Sequence, residues 1–243
     1  MRWASPIALL GIWELLSGTG LVSTQLLPSP AMIVSAVQTV VADGELPGGL
    51  VVSLRRMAIA FVLGALIGGG LGVAAGLSRW IDATVDPLLQ MLRNIPLFAL
   101  PALLILWFGI GETPKIILVM LAVALPIYVN VYAGIKQTDA ALVEATTVLG
   151  YNRWERLWHV VLPAAVPHTL VGIRIGIASG WLALVVAETI ASDTGIGFMI
   201  NNAREFLRTD IVIVGILTYA VVGLLMDTII RLIERRILRW QSA

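Results

Sequence analysis

The sequence predicts an all-α polytopic membrane protein with six transmembrane helices, and three observations carry that expectation. Hydrophobic residues fill 58% of the 243 positions and charged ones 13%, about half the charged share of a soluble domain. The apolar residues fall in several runs of the length that crosses a hydrocarbon layer, for which about 20 helical residues suffice. The longest polar stretch of the second half, Glu144 to Pro163, is bracketed by such runs on both sides. No cysteine is present, so disulfides and thiolate chemistry are excluded. The net charge of +1 says nothing about partners, because in a membrane protein the sidedness of the charges is what matters.

The first span is expected from about Pro6 to Val22. It reads as retained rather than cleaved, since the run outlasts a signal-peptide core and no small-x-small site follows. Its Glu14 is either interfacial or faces other helices. Leu27-Pro28-Ser29-Pro30 ends the segment, and the residues to Val41 form a short amphipathic helix suited to the membrane interface. Asp43 to Gly49 is a loop. Residues 1–49, a first helix plus an interfacial segment, thus precede a core transmembrane domain of residues 50–243.

Span two, about Leu54 to Leu77, carries Gly64, Gly68, Gly72 and Gly76 at every fourth position, a ridge that permits close helix crossing. Span three, about Pro87 to Phe108, contains Pro87, Pro96 and Pro101. Each lacks an amide donor, so the helix must bend or break there. Such backbone is tolerated in a membrane where protein buries it or a wet cavity adjoins it. Gly109 to Pro114 is a turn, and span four runs from Lys115 to Ile135 with Pro126 and Asn130 inside. Span five, about Leu170 to Ile190, holds a second ladder at Gly172, Gly176 and Gly180. Asp193 to Leu207 is a loop with a short interfacial helix. Span six runs from Ile211 to Ile233, and Asp227 and Arg231 stand four apart on it, able to pair on one face.

The polar stretch reads as two short helices with a tight corner. Thr138 and Asp139 can cap the first, and Gly150 falls where a left-handed stop residue is expected. Asn152 with Glu155 three residues on is a capping-box start for the second. A first helix of roughly ten residues reaches only about 15 Å, too short for a bilayer. Its apolar face gathers Ala141, Ala145, Val148 and Leu149, small enough in part to let another protein approach. This is the shape of a docking plug.

Glu144-Ala145, Gly150 and Val160-x-Leu162-Pro163 resemble the "EAA" signature of ABC importer permeases. Thr146 departs from that pattern, standing where alanine is usual. Leu92-Arg93-Asn94-Ile95-Pro96, Leu106-Trp107-Phe108-Gly109-Ile110-Gly111-Glu112 and Leu207-Arg208-Thr209-Asp210 narrow the likeness to the nitrate, sulfonate, taurine and bicarbonate permeases, over nearly the whole chain. The resemblance implies a type I importer permease architecture of the MetI-like kind, and a small oxyanion as cargo. It implies a homodimer of this chain, two ATPase subunits, an extracytoplasmic binding protein and a bacterial inner-membrane setting. It also makes residues 138–165 a cytoplasmic coupling loop, with Glu144, Ala145, Thr146, Gly150, Arg153 and Pro163 meeting the ATPase. An aliphatic sulfonate fits best, because the Leu- and Phe-rich broken span suits a short apolar tail; taurine, nitrate and bicarbonate are the alternatives.

No Gly-x-x-x-x-Gly-Lys-Ser/Thr sequence occurs, so ATP must be hydrolysed by a partner. The chain is not expected to be an enzyme or to carry a cofactor or metal, and nothing points to nucleic acid. Asp193-Thr194-Gly195 resembles an aspartic-protease triplet, but that chemistry needs two carboxylates sharing a proton and the triplet occurs once. His159 and His168 read as interfacial hydrogen-bonding groups. Arg93 and Glu188 are costly in lipid and must face protein or water; with Asn94 and Pro96 they are the expected translocation-path residues. The alternative is that Arg93 and Glu188 pair as structural fixtures. A proton-coupled secondary transporter, with Glu188 as its acid, and an intramembrane enzyme are the readings from other classes. Nine Lys and Arg lie on the side of the termini and docking loop against five on the other, which puts that side in the cytoplasm.

Overall fold

The computed structural model describes Trp13, Glu14, Ser17, Ser23 and residues 25–238. All regular structure among them is helical. In chain order the elements are α1 (Pro30–Ala42), α2 (Glu45–Leu77), α3 (Arg79–Arg93), a 3-10 turn (Leu97–Ala99), α4 (Leu100–Phe108) and α5 (Glu112–Lys136). They continue with α6 (Ala140–Val148), α7 (Arg153–Arg156), a π-helical turn (Leu157–Val161), α8 (Leu162–Ala191), α9 (Ile196–Glu205) and α10 (Thr209–Ile237). Among the described residues, four stretches are long and apolar enough to cross a membrane: Glu45–Leu77, Glu112–Lys136, Arg153–Ile190 and Thr209–Ile237.

Three expectations change in detail. The first span, Pro6 to Val22, falls almost wholly outside the described residues. The Asp43–Gly49 loop shrinks to a turn at Asp43 and Gly44, because α2 already begins at Glu45, an acidic residue in its first turn. Span three is not one helix: α3 ends at Arg93, and the nine residues of α4 rise only about 14 Å. The break falls before Pro96, which pushes the preceding residue out of helical conformation.

The chain divides into two compact units, and α2, α8 and α10 each run from one into the other. The first comprises Met1–Arg55 and Val185–Val222. Here Ser29 caps α1, its hydroxyl accepting the Met32 N–H at 3.3 Å, and Ile33, Ala36 and Val40 form its buried stripe. Glu14 accepts the Ala31 N–H at 3.3 Å, at the same helix start. α9 ends in a Schellman arrangement: Arg208 N–H reaches the Ala203 carbonyl at 2.7 Å and Leu207 N–H the Arg204 carbonyl at 3.1 Å. The left-handed position, normally glycine, is Leu207 at φ 56°, a residue 71% exposed.

The second unit comprises Arg56–Leu184 and Gly223–Ala243, and α5 is its axis. Leu118, Val119, Val123 and Ile127 on α5 are all but inaccessible. The two glycine ladders explain why. A Cβ at Gly64 would stand 2.7 Å from the Met120 carbonyl, one at Gly68 would collide with the Ala124 carbonyl, and one at Gly76 would stand 2.8 Å from Ile135. On the other flank, a Cβ at Gly172 would stand 2.8 Å from Asn130 and one at Gly180 would meet Val123 at 2.6 Å. Backbone therefore packs on backbone along both sides of α5, as small-residue ladders permit.

Near the start of α5, buried Arg56 donates to both oxygens of Glu112 at 2.7 and 2.5 Å, and buried Lys115 adds a bond at 3.2 Å. Near its end, the polar face of α3 is latched on. Asp82 accepts from Tyr132 and Lys136, each at 2.8 Å, and Asp86 accepts from Tyr128 at 3.0 Å. The Lys136 ammonium and the Tyr132 hydroxyl hold the Asp82 carboxyl below the usual carboxylate range.

Candidate coupling surface and translocation path

The coupling corner is built from local rules. Asp139, rather than Thr138, caps α6: its carboxylate accepts the Ala141 N–H at 2.8 Å, while the Thr138 hydroxyl donates back to the Gly134 carbonyl. α6 stops in a full Schellman motif, with Tyr151 N–H on the Thr146 carbonyl at 3.0 Å and Gly150 N–H on the Thr147 carbonyl at 3.1 Å. Gly150 takes φ 83°. α7 opens with the expected capping box: the Asn152 side chain accepts the Trp154 and Glu155 N–H groups at 2.9 Å, and Glu155 accepts the Asn152 N–H at 2.7 Å.

α6 has no buried residue. Glu144, Ala145, Gly150, Arg153 and Pro163 are exposed, and only Thr146 is partly covered. The Thr146 hydroxyl donates to the Leu142 and Val143 carbonyls at 3.0 Å, so the departure from alanine adds no polar group that seeks an outside partner. Val148 is 88% exposed, Leu149 74% and Trp154 71%, with Trp158 close behind. These apolar side chains form an open patch at an otherwise polar corner.

Two features of the corner were not legible in the sequence. Arg156 donates to the Thr147 hydroxyl at 2.6 Å, bracing α7 against the end of α6. The turn Leu157–Val161 is widened to π geometry. Pro163 withholds an N–H from His159 and its ring crowds that carbonyl, which a wider turn relieves. His159 Nδ1 lies 2.9 Å from the Glu155 carbonyl, so that nitrogen carries the proton.

The broken segment places Arg93 in the last turn of α3 and Asn94 at its C-cap, where the Asn94 amide donates to the Gln90 carbonyl at 2.9 Å. Arg93, Asn94, Ile95 and Pro96 are all exposed. In the first unit, Glu188 is 0% exposed. The Ser53 hydroxyl lies 2.8 Å from both of its oxygens, Tyr219 donates at 2.9 Å, and the Gly197 N–H donates at 3.1 Å. Ser53 in turn accepts the Ile196 N–H at 3.1 Å. The Gly197 and Ile196 donors are the orphan amides that open α9, so the carboxylate also meets the positive end of a helix. Gly197 is glycine because a Cβ there would collide with the Glu188 side chain. No group of three His, Asp or Glu among the described residues is arranged to hold a metal ion.

Residues 60–239 match the family described as binding-protein-dependent transport system inner membrane component, and the chain belongs to that family. It is a permease of the ABC transporter class and not itself an enzyme. It is 45% identical, over 99% of its length and 92% of the relative's, to the putative aliphatic sulfonates transport permease protein SsuC of Escherichia coli (strain K12). Identity to the protein of the same description from Bacillus subtilis (strain 168) is 42%, over 98% of this chain and 86% of that one. The taurine transport system permease protein TauC of Escherichia coli (strain K12) is 37% identical over 96% of this chain and 87% of its own. Among solved structures, an amino acid ABC transporter matches with a TM-score of 0.69 at 18% identity, over 82% of this chain and 97% of that one. The MetNI methionine ABC transporter matches at 0.65 and 19%, over 79% and 93%. The MetI-like permease fold is thereby established.

Proposed function

We propose that this chain is the membrane subunit of an ATP-driven importer for an aliphatic sulfonate. The observation that carries the reading is the α6–α7 corner: capped at both ends, braced by Arg156 and presenting Val148, Leu149 and Trp154 to a partner. Two copies of the chain form the conduit, two ATPase subunits dock on the corners, and an extracytoplasmic binding protein delivers the cargo. The transport core is residues 50–243, and the corner and both termini face the cytoplasm. In the ATPase contact Glu144, Ala145, Thr146, Gly150, Arg153 and Pro163 form the footprint.

The sulfonate assignment is supported by the two relatives above 40% identity, both described as aliphatic sulfonates transport permeases. Arg93, Asn94 and Pro96 line the path, since an exposed helix break with a guanidinium cannot face hydrocarbon. The guanidinium fork suits two sulfonate oxygens. Glu188, enclosed by its donors, ties α2, α8, α9 and α10 together within the first unit. Taurine is the second reading, favoured by the relative at 37% identity.

The test is reconstitution of the chain with its ATPase and binding protein in liposomes. An alkyl sulfonate on the binding protein should raise ATP hydrolysis and accumulate inside, more than taurine, nitrate or bicarbonate does. Uptake without ATP would favour a secondary transporter and overturn the proposal.

A further inference from the structure

In the second unit, α8 and α10 leave a cavity of about 260 Å³ between them. Its walls are apolar, formed by Ile177, Trp181 and Leu182 of α8 and Met226 and Ile230 of α10. Gly223 keeps one wall low, for a Cβ there would stand 3.2 Å from the Trp181 ring. One end is charged. Arg174 Nε donates to Asp227 at 3.1 Å, Arg174 Nη1 lies 3.8 Å from Glu234, and Arg231 Nε donates to Asp227 at 2.7 Å. None of the four is buried: their side chains are 22% to 55% exposed, Arg231 the most.

The depth of this cluster follows from the helices themselves. α10 carries no charge between Asp210 and Asp227, a stretch of roughly 25 Å at 1.5 Å per residue. α8 carries none between Arg174 and Glu188, about 20 Å. Against a hydrocarbon thickness of ~30 Å, the four charges sit at the boundary with the headgroups, on the side where α10 ends. The apolar cavity rises from them towards the bilayer centre.

We infer that this groove binds one glycerophospholipid from that leaflet, and one whose headgroup carries a primary amine. The acyl chain lies along Ile177, Leu182 and Met226. The phosphate accepts from Arg231 and from the guanidinium donors of Arg174 that Asp227 does not take, a pairing to which arginine is suited. The ammonium donates to Glu234, whose contact with Arg174 at 3.8 Å is too long for a good hydrogen bond. Two guanidinium and two carboxylate groups match a zwitterion. An anionic headgroup without an amine meets two carboxylates with nothing to offer them, and a choline headgroup has no N–H to donate.

The test uses the full-length chain purified in mild detergent. Native mass spectrometry reads retained lipid, and thermal unfolding is followed after delipidation and addition of palmitoyl-oleoyl phosphatidylethanolamine, phosphatidylcholine or phosphatidylglycerol. The wild-type chain should retain phosphatidylethanolamine and gain several degrees from it, at least twice the gain from either of the others. Ala178→Phe, placed at the exposed edge of the cavity, fills it without touching the ion pairs and should abolish both retention and shift while keeping helix content. Leu182→Trp serves the same purpose if that variant does not fold. Glu234→Gln should erase the preference for the amine headgroup. Equal shifts from all three lipids, or unchanged retention in the filled variants, overturns the proposal. So does efficient disulfide formation between two copies of Leu182→Cys, which in this cysteine-free chain would make a second copy the occupant.

Discussion

Arg156 reaches across the Gly150 corner and donates to the Thr147 hydroxyl at 2.6 Å, and Thr147 passes that contact into α6 by donating to the Val143 carbonyl at 2.7 Å. Two helices that share no buried side chain are thus held at a fixed angle. The bond is exposed, so its removal should change stability by no more than ~1 kcal/mol. Its effect should appear in coupling instead. Arg156→Ala is expected to leave ATPase binding intact and to lower the substrate moved per ATP hydrolysed, read by paired uptake and phosphate-release assays.

At Gly150 nothing lies within 4 Å of where a Cβ would stand, so a substitution there is opposed by backbone conformation alone. Gly150→Val should cost ~1–2 kcal/mol and Gly150→Asn much less, since asparagine tolerates left-handed φ. Co-purification of the ATPase should fall in that order. Equal loss in both variants would point to a steric rather than a conformational cause.

The first glycine ladder offers a comparison within one helix. Gly68 abuts the Ala124 carbonyl, whereas nothing stands within 4 Å of a Cβ at Gly70. Gly68→Ala should destabilise by about 1–3 kcal/mol, the range for overpacking, while Gly70→Ala should be neutral or stabilise by up to ~1 kcal/mol. Thermal unfolding of the two purified variants reads the contrast directly.

Arg93 stands exposed at the end of α3, beside the helix break, and the proposed path runs past it. A charge-assisted contact worth about 1.5–3 kcal/mol in transit would appear as a loss of roughly ten-fold or more in uptake for Arg93→Ala. Arg93→Lys should recover part of it, with expression unchanged throughout. Full uptake by the alanine variant would remove Arg93 from the path.

The Asp82 latch has a pH signature. Its carboxyl titrates below its ordinary value when folded, so the stabilisation is complete above about pH 4 and is lost as pH falls through the folded value. Unfolding temperatures of the wild-type chain and Asp82→Asn should differ by a constant amount between about pH 5 and 8 and converge in acid. A difference that grew with acid would reverse the sign and discount the latch.

What could be read in advance follows from the range of each interaction. The corner was legible because Asp139, Gly150, Asn152 and Glu155 act on backbone groups two to five residues away. The ladders were legible because glycine at every fourth position has few uses other than close packing. The surroundings of Glu188 were not, because Ser53 lies 135 residues away in sequence and Tyr219 31. The end of α9 was hidden for a different reason: the usual marker is glycine, and Leu207 occupies the position without it. The ion pairs of Arg174 were not legible, since Asp227 and Glu234 reach it from a separate helix. Pro96 predicted a break, but not that an amphipathic helix latched by Asp82 and Asp86 would precede it.

The double glycine contact along α5 has a mechanical meaning. Interfaces made of side chains are springs, because rotamers yield before helices move. Where Gly68 meets the Ala124 carbonyl and Gly176 stands opposite the Val123 carbonyl, there is little between the backbones to compress. Within this unit, a load applied to the end of α5 is therefore passed to α2 and α8 as displacement rather than absorbed as strain. Such a joint has low compliance, and α5 itself ends at Lys136, just before the Asp139 cap of α6.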